Sequence, residues 1–339
     1  MNADISPITK EKAPLILAEI KKATSVLLHC HPLPDPDSTG SAMAMKFALE
    51  QMGKKATVIQ GDSAIPRAFQ HFPGVLGIVK KKFSEVDLKD FDLFISIDSG
   101  SLNMISQEHP PNLPMPIETI VIDHHATNDQ YGDINLVDVS APAAAFILFQ
   151  LFDMWDVSIT YDMAVNLFMG IYTDTGGFKY APTDYRVIGA AAELARLAPN
   201  FTEVIFSMEN SRTKEALYFQ AMALSSIETF LEDNIAIATV SYRNLVDKKI
   251  PEECIRGISI SDILKSVVGW NVGISLIERQ PHEIKVSLRT RDKDIFDVSR
   301  LAAVLGGGGH RAAAAAVLKM SMTDAKKLVV EKAKELYNL

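Results

Sequence analysis

The chain has 339 residues, of which 47% are hydrophobic and 22% are charged, and its formal net charge is −8. This length and composition fit about two globular domains with apolar cores and exclude a disordered chain. The negative charge argues against a protein that coats long nucleic acid, because such proteins usually carry a basic surface, but it is compatible with a small anionic substrate.

Strands alternate with helices in the first half of the sequence. Apolar runs predict buried strands over residues 24–29, 56–60, 92–98 and 119–123, and a helix over 41–52 that ends at Gly53. This alternation predicts a parallel sheet with helices on both faces. The strands lack polar alternation, as expected when both faces of a parallel sheet are covered.

Helices dominate from residue 142 to about residue 227, and the pattern changes near Asn234. Strands over 235–242, 272–278 and 283–289, with helices over 298–305 and 323–337, predict a smaller α/β domain with a mixed sheet. We therefore expect a first domain over residues 1–210, a helical connector over 211–233 and a second domain over 234–339.

Residues 31–41 (HPLPDPDSTGS) lie between a predicted strand and a predicted helix, at the sheet edge where ligands bind in open α/β folds. The three prolines of the segment exclude a helix there. Alternation in extended chain would turn His31, Asp35 and Asp37 toward one side. An imidazole with carboxylates suits a divalent transition metal such as Mn²⁺. The alternative is a proline-rich surface turn with solvated aspartates.

Three further segments offer metal ligands. Asp98 ends one predicted strand, and Asp123, His124 and His125 end the next. Asp174 lies near the end of a mostly buried helix, where a carboxylate needs a partner. Each also has an ordinary structural explanation: an aspartate capping a turn, a surface histidine pair, or an aspartate competing for backbone donors at a helix end.

A glycine run in the second half is typical of an anion-binding loop. Four consecutive glycines, residues 306–309, let the backbone approach an anion and present its N–H groups, and His310 and Arg311 add side-chain donors. Arg289, at the end of a predicted strand, is a candidate phosphate clamp, because a guanidinium matches phosphate oxygens in pairs. A flexible loop and a surface arginine on a strand are the alternatives. The candidate substrate-binding residues are Arg289, Gly307, Gly308, Gly309, His310 and Arg311.

Together these segments resemble the DHH phosphoesterases. The likeness covers nearly the whole chain and consists of HPLPDPDSTGS, ISIDSG (95–100), IDHH (122–125), TDTGGF (173–178) and the GGGGH signature of the DHH-associated C-terminal domain. Each motif is weak to moderate alone, but five in this order are specific. The short two-domain build is similar to that of family members that combine oligoribonuclease and 3′-phosphoadenosine-5′-phosphate phosphatase activities.

The resemblance implies two divalent metal ions, with Mn²⁺ expected and Mg²⁺ or Co²⁺ as substitutes. Asp123 would orient a metal ligand, as such ligands generally require, and His125 would face the substrate phosphate. Arg289 and residues 306–310 would grip the nucleotide. The implied metal ligands are His31 and Asp35 for one ion, Asp37, His124 and Asp174 for the other, and Asp98 as a bridge that is also essential for catalysis.

Two positions depart from the family pattern. The two alanines after GGGGH are usually followed by glycine, but residues 312–316 are all alanine, which puts the backbone near Ala315 in question. Ser38 stands where a small apolar residue is common, and we expect little consequence from it.

The implied reaction is two-metal hydrolysis of phosphate esters in short oligonucleotides, with release of mononucleotides, and of 3′-phosphoadenosine-5′-phosphate. A cyclic-dinucleotide or linear dinucleotide phosphodiesterase would use the same site and stays open. A RecJ-like long-strand exonuclease is disfavoured by the acidic charge, and a family II pyrophosphatase by the GGGGH domain. Outside enzymes, the alternative is a nucleotide-binding regulator with an inactive site, against which the complete ligand set argues.

Cysteine usage and hydropathy predict a cytoplasmic protein. There are two cysteines in no metal-type spacing, no signal-peptide pattern, and no apolar run near the ~20 residues of a membrane helix. We expect short oligonucleotides or small nucleotides as substrates, with no long nucleic acid and no membrane as partner. A homodimer stays open.

Overall fold

The computed structural model describes residues 5–255 and 258–339, which form two compact units. The first unit ends at Ser211 and the second begins at Arg212. Each unit has its own β-sheet and its own hydrophobic clusters. No helix within the described residues is long and apolar enough to cross a membrane.

The first unit contains a five-stranded sheet in the order β2-β1-β3-β4-β5, and all of its described strand pairs are parallel. The four strands predicted from apolar runs are confirmed to within one residue at each end. The fifth strand was not predicted, because it is short and carries a polar Asn135. The strands are β1 (Ser25–His29), β2 (Lys55–Ile59), β3 (Leu93–Ile97), β4 (Glu118–Asp123) and β5 (Ile134–Val137).

Helical segments of different kinds cover the two faces of this sheet. The long helices pack on one face, where they share a cluster with β-residues such as Leu28, Ile95 and Ile122. The other face carries Phe94 and Val121, which pack with loops and short 3₁₀ turns. The helices of the first unit are α1 (Pro7–Lys22), α2 (Pro36–Gln51), α3 (Ala144–Met154), α4 (Tyr161–Asp174), α5 (Tyr185–Leu197) and α6 (Phe201–Glu209).

Helix α2 begins earlier than the predicted helix over residues 41–52. Asp35 is its N-cap and accepts a hydrogen bond from the Ser38 N–H at 2.9 Å. The prediction that the prolines exclude a helix is wrong for Pro36, because a first helical residue needs no N–H donor and proline already has the required φ. Asp37 therefore lies in the first turn of a helix, not in extended chain.

The second unit contains a six-stranded mixed sheet in the order β10-β11-β9-β8-β7-β6. The pair β7–β8 is parallel and the other described pairs are antiparallel. One cluster packs α11 and α12 on one face, and another packs α7, α9 and α10 on the other. The strands are β6 (Glu228–Phe230), β7 (Ile235–Val240), β8 (Val272–Gln280), β9 (Glu283–Thr290), β10 (Gly308–His310) and β11 (Ala313–Lys319), and the helices are α7 (Lys214–Ser225), α8 (Tyr242–Asp247), α9 (Glu252–Ile255), α10 (Ile260–Lys265), α11 (Val298–Val304) and α12 (Met322–Tyr337).

The segment predicted as a helical connector, residues 211–233, contains α7 and also the strand β6, which pairs with β7 in the second sheet. Sequence patterns did not predict β6 because it spans three residues, of which two are exposed.

The glycine run is one side of a β-hairpin with the alanine run. A Cβ atom on Gly307 would lie 2.1 Å from the Ala315 carbonyl oxygen, and one on Gly309 would lie 2.5 Å from the Ala314 Cα. The glycines therefore permit close approach of β10 to β11. Ala315 pairs with Gly308 and Ser287 in ordinary strand conformation, so the backbone there accommodates alanine.

Candidate metal centre

Three neighbouring parallel strands end at one edge of the first sheet, and each delivers polar side chains there. His31 follows β1, Asp98 follows β3, and Asp123 and His124 stand at the end of β4. This carboxyl edge is where ligands bind in open α/β sheets. The first turn of α2 and the last residue of α4, Asp174, meet at the same edge.

His31 lies between two carboxylates. Its Nε2 atom is 3.5 Å from Asp35 Oδ2 and 3.4 Å from Asp98 Oδ2. The other ring nitrogen, Nδ1, is 3.0 Å from the Pro32 carbonyl oxygen. A proton on Nδ1 donated to that carbonyl leaves the Nε2 lone pair directed at the two carboxylates, which is the arrangement of a metal-ligating histidine.

His124 forms a second group with three carboxylates. Its Nε2 atom is 3.4 Å from Asp98 Oδ1, 3.4 Å from Asp174 Oδ2 and 4.0 Å from Asp37 Oδ2. Asp98 thus presents one oxygen to His31 and the other to His124. The two groups of ligand atoms share this one buried carboxylate.

Asp37 is fully buried and is held by the N-terminus of α3. Its Oδ2 accepts a hydrogen bond from the Ala144 N–H at 2.7 Å, and its Oδ1 accepts one from the Ala145 N–H at 2.9 Å. The helix dipole favours a negative charge at this end. A Cβ on Gly170 of α4 would lie 2.6 Å from Asp37 Oδ1, so glycine at 170 leaves the space that the carboxylate occupies.

Asp123 orients His125. Its Oδ1 accepts hydrogen bonds from His125 Nδ1 and from the His124 N–H, each at 2.8 Å, and its Oδ2 accepts one from Asn128 Nδ2 at 2.6 Å. Both Asp123 oxygens are thus engaged inside the protein, and one of them holds the His125 ring in place. The His125 side chain is 47% exposed, so its Nε2 atom is available to a ligand.

Asp98 adopts a left-handed backbone conformation, with φ of 56°. Such values are uncommon outside glycine and concentrate at functional sites. The Asp98 N–H donates to the Ile122 carbonyl at 3.0 Å, and the buried Tyr131 hydroxyl donates to the Ser99 carbonyl at 2.9 Å. These two hydrogen bonds hold the turn at Asp98 and Ser99 and so orient the Asp98 carboxylate.

The crowding of carboxylates shifts the pKa values of the centre. Burial raises the pKa of Asp37 and of Asp174, and nearby Asp98 raises both further. Burial would lower the pKa of the two histidines, but the nearby negative carboxylates outweigh it and raise the pKa of His31 to about 11 and of His124 to about 10. The site therefore attracts positive charge strongly.

Two buried atoms without hydrogen bonds indicate that divalent metal ions fit this centre. Within the described residues, Asp98 Oδ1 and His124 Nε2 have no hydrogen-bond partner, and an unsatisfied buried polar atom is costly. Metal coordination would satisfy both. Two sets of ligand atoms each lie within 4.8 Å of one another. One set comes from His31, Asp35 and Asp98, and the other from Asp37, His124 and Asp174. Imidazole nitrogen with carboxylate oxygen is a donor set for divalent transition metals.

Comparison with known proteins agrees with this centre. Residues 25–171 match the model of the DHH family, N-terminal domain. The chain contains a DHH-family N-terminal domain. It is a metal-dependent phosphoesterase with a candidate His/Asp metal site.

Similar proteins match this DHH phosphoesterase along most of its length. It is 28% identical to the bifunctional oligoribonuclease and PAP phosphatase NrnA of Thermus thermophilus, over 94% of this chain and 93% of that protein. An exopolyphosphatase-related protein from Bacteroides fragilis shares the fold with a TM-score of 0.88, at 21% identity, over 100% of both chains. RecJ from Thermus thermophilus in complex with Mn²⁺ shares it with a TM-score of 0.55, at 16% identity, over 98% of this chain and 55% of that one.

The predicted substrate-binding residues of the DHH phosphoesterase lie in its second unit. Arg289 and His310 flank Ala313 in the strand register, so their side chains share a face of the sheet. The Arg289 Nε atom is 3.2 Å from Asp262 Oδ2. Gly307, Gly308 and Gly309 lie exposed in and beside β10.

Arg311 is paired with two carboxylates, whereas Arg289 is paired with one. The Arg311 guanidinium lies 3.2 Å from Asp294 Oδ1 and 3.2 Å from Asp297 Oδ2. These ion pairs hold Arg311 against its own loop, so a substrate phosphate would have to compete with two carboxylates for it.

Two residues of the centre were not found from sequence patterns. Asn128 bonds to Asp123, and its only signal was its place in the loop directly after His124. Tyr131 bonds beside Asp98, and it carried no signal because a buried tyrosine in a loop resembles any core residue.

Proposed function

We propose that this DHH phosphoesterase hydrolyses phosphate esters of short oligonucleotides, releases mononucleotides, and also accepts 3′-phosphoadenosine-5′-phosphate. The observation that carries the proposal is Asp98, which presents one oxygen to each of two His/Asp groups. The similarity to NrnA over 94% of the chain supports the substrate class.

We propose two Mn²⁺ ions for the centre, with Mg²⁺ or Co²⁺ as substitutes. His31 and Asp35 would hold one ion, and Asp98 would be shared between both. When bound, the ions supply Lewis-acid activation of water and of the phosphate. The Mn²⁺ complex of RecJ supports the choice of metal. The second ion would be held by Asp37, His124 and Asp174.

His125 is the group we propose to contact the substrate phosphate. The bond to Asp123 places the His125 proton on Nδ1 and raises its pKa, against burial, which lowers it. The imidazole is therefore protonated over a wider pH range than a free histidine. A protonated His125 can donate from Nε2 to a phosphoryl oxygen and stabilise the charge that develops there.

The second unit is proposed to bind the nucleotide. The guanidinium of Arg289 can donate two hydrogen bonds to a pair of phosphate oxygens. Asp262 Oδ2, 3.2 Å from Arg289 Nε, holds this guanidinium in position. The exposed glycines and His310 offer further donors on the same part of the sheet. Both cysteines are free, which fits the reducing cytoplasm where we propose that the enzyme acts. The proposed binding residues are Arg289, Gly307, Gly308, Gly309, His310 and Arg311.

The test is hydrolysis by the purified protein with Mn²⁺. Four substrates are compared: a dinucleotide, an oligomer of about twenty nucleotides, 3′-phosphoadenosine-5′-phosphate and a cyclic dinucleotide, with a chelator control for each. We expect mononucleotide release from the dinucleotide and phosphate release from 3′-phosphoadenosine-5′-phosphate. Turnover of the cyclic dinucleotide alone would overturn the proposal.

A further inference from the structure

A tight turn follows the candidate metal ligand Asp174. Gly176, Gly177 and Phe178 are all left-handed, with φ values of 60°, 69° and 66°. The Thr175 carbonyl accepts hydrogen bonds at 2.9 Å from the N–H groups of both residue 179 and residue 180. Two glycines allow this conformation without steric cost, so the turn has a defined shape that begins one residue after Asp174.

Phe178 anchors the turn to α4. Its ring packs edge-on against Tyr172, with centroids 6.0 Å apart, and against Phe168, with centroids 6.4 Å apart. The next two side chains, Lys179 and Tyr180, are exposed, and Tyr180 is 59% exposed. The turn thus partly buries the Phe178 ring and presents the Tyr180 ring to solvent.

The Tyr180 ring lies directly over Gly176. A Cβ atom at that glycine would be only 2.2 Å from the ring atom Cε2. Glycine at position 176 therefore permits the left-handed backbone and also leaves the space in which the Tyr180 ring packs. The Lys179 ammonium nitrogen is 6.0 Å from the centroid of the same ring, so a flat apolar face and a positive charge stand side by side.

The negative charge of the neighbouring metal centre indicates a role for Lys179 and Tyr180. Five carboxylates gather there, those of Asp35, Asp37, Asp98, Asp123 and Asp174, and they repel an incoming phosphate except where cations offset them. Lys179 places a cation within five residues of Asp174. An aromatic face stacks on any nucleobase, because every base has a π-face.

We propose that Lys179 and Tyr180 form a nucleotide subsite beside the metal centre. The Tyr180 ring stacks on the base next to the scissile phosphate, and the Lys179 ammonium contacts a phosphate of the same nucleotide. The choice of a nucleotide as ligand rests on the proposed function. The subsite makes the enzyme prefer nucleotides to plain sugar phosphates without selecting the base.

Binding to the full-length protein loaded with Mn²⁺ tests this subsite by calorimetry. The two probes are AMP and ribose 5-phosphate, which carry the same phosphate and differ by the base. Wild-type protein is expected to bind AMP more tightly. Tyr180→Ala should weaken AMP binding roughly tenfold and leave ribose 5-phosphate unchanged, and Tyr180→Phe should restore the preference. Lys179→Gln should weaken both probes by a similar factor.

Matched controls separate this effect from surface changes in general. Tyr161→Ala removes a 43% exposed tyrosine from the opposite end of α4, and Lys21→Gln removes an exposed lysine near the end of α1. Neither should change either Kd.

Equal binding of the two probes by wild type, or an equal effect of Tyr180→Ala on both, would overturn the subsite. These are binding measurements, so an intact AMP preference with no hydrolysis of dinucleotides would leave the subsite standing and reject the proposed function.

Discussion

Asp98 Oδ1 and His124 Nε2 lie 3.4 Å apart at the carboxyl edge of the sheet, both buried and both without a hydrogen-bond partner among the described residues. His124 on one side and His31 on the other hold the pKa of Asp98 below its usual value, against burial, which raises it. An ionised carboxylate buried between two histidines is stable only with cations beside it. This arrangement fits the shared metal ligand that we propose for Asp98.

The first prediction concerns this shared carboxylate. Asp98→Ala should lower kcat by several orders of magnitude, because both proposed ions lose a ligand and water activation fails. The matched control is Asp90→Ala, an exposed aspartate just before the amino end of β3, which should keep full activity. Circular dichroism checks the fold. A folded Asp98→Ala protein with more than about a tenth of wild-type turnover would show that Asp98 is not shared.

Metal binding should release protons. Metal ligands must be deprotonated, and without metal the pKa of His31 is raised to about 11 and that of His124 to about 10. Both are therefore protonated at neutral pH, so the apparent Mn²⁺ affinity should rise as pH rises and fall as pH falls. Calorimetry in buffers of different ionisation enthalpy measures the protons released. Affinity independent of pH, or full hydrolysis after exhaustive chelation, would contradict the metal assignment.

Exchanging the carboxylate of Asp123 with the amide of Asn128 should preserve part of their function. Asp123→Asn removes the charge that raises the His125 pKa, so the alkaline limb of the kcat/KM profile should move to lower pH, with kcat reduced about 10- to 100-fold. Adding Asn128→Asp returns a carboxylate to the same hydrogen bond and should restore part of the activity. A double variant no better than the single one would show that the pair has no such coupling.

The sequence predicted the parts of this molecule that depend on local pattern. Apolar runs predicted β1 to β4, and strand ends placed Asp98 and His124 at one edge, because parallel strands must align their carboxyl ends. Contacts between distant segments left no such pattern. The bonds from α3 to Asp37 and from Tyr131 to Ser99 join residues 32 or more positions apart, and nothing near either partner signals the other.

The start of α2 was predicted wrongly, and the strand β11 was not predicted, for a different reason. Proline breaks a helix in its interior, but it is well suited to the first helical position, where Pro36 lies. The alanine run of β11 has high helix propensity but forms a strand, because it pairs along its whole length with β9. Tertiary packing overrides propensity there.

The third substitution separates substrate binding from metal binding. His310→Ala should raise KM or lower kcat/KM by about ten- to a hundred-fold, the effect of losing one hydrogen bond to a charged phosphate. Bound metal should stay the same. The control is His282→Asn, an exposed histidine in the turn at the far end of β9 from Arg289, where φ is 62° and asparagine is tolerated. Stoichiometric loss of metal from His310→Ala would refute its assignment to substrate.

The length of the preferred substrate should be limited by the small number of cationic side chains that can contact its phosphates. The chain carries a net charge of −8, and two of its best candidate phosphate contacts are already paired, Arg289 with Asp262 and Arg311 with Asp294 and Asp297. A strand longer than the site would lay further phosphates on an acidic surface and gain little from each.

We therefore expect about two or three phosphate contacts and a shallow dependence of affinity on salt, because few counterions are released on binding. The value of kcat/KM should be highest for oligomers of roughly two to five nucleotides and should fall for longer ones. A length series at two salt concentrations measures both quantities. Equal or rising efficiency up to about twenty nucleotides with a steep salt slope would mean that a long strand finds a cationic path on this protein. The enzyme would then act as a long-strand exonuclease.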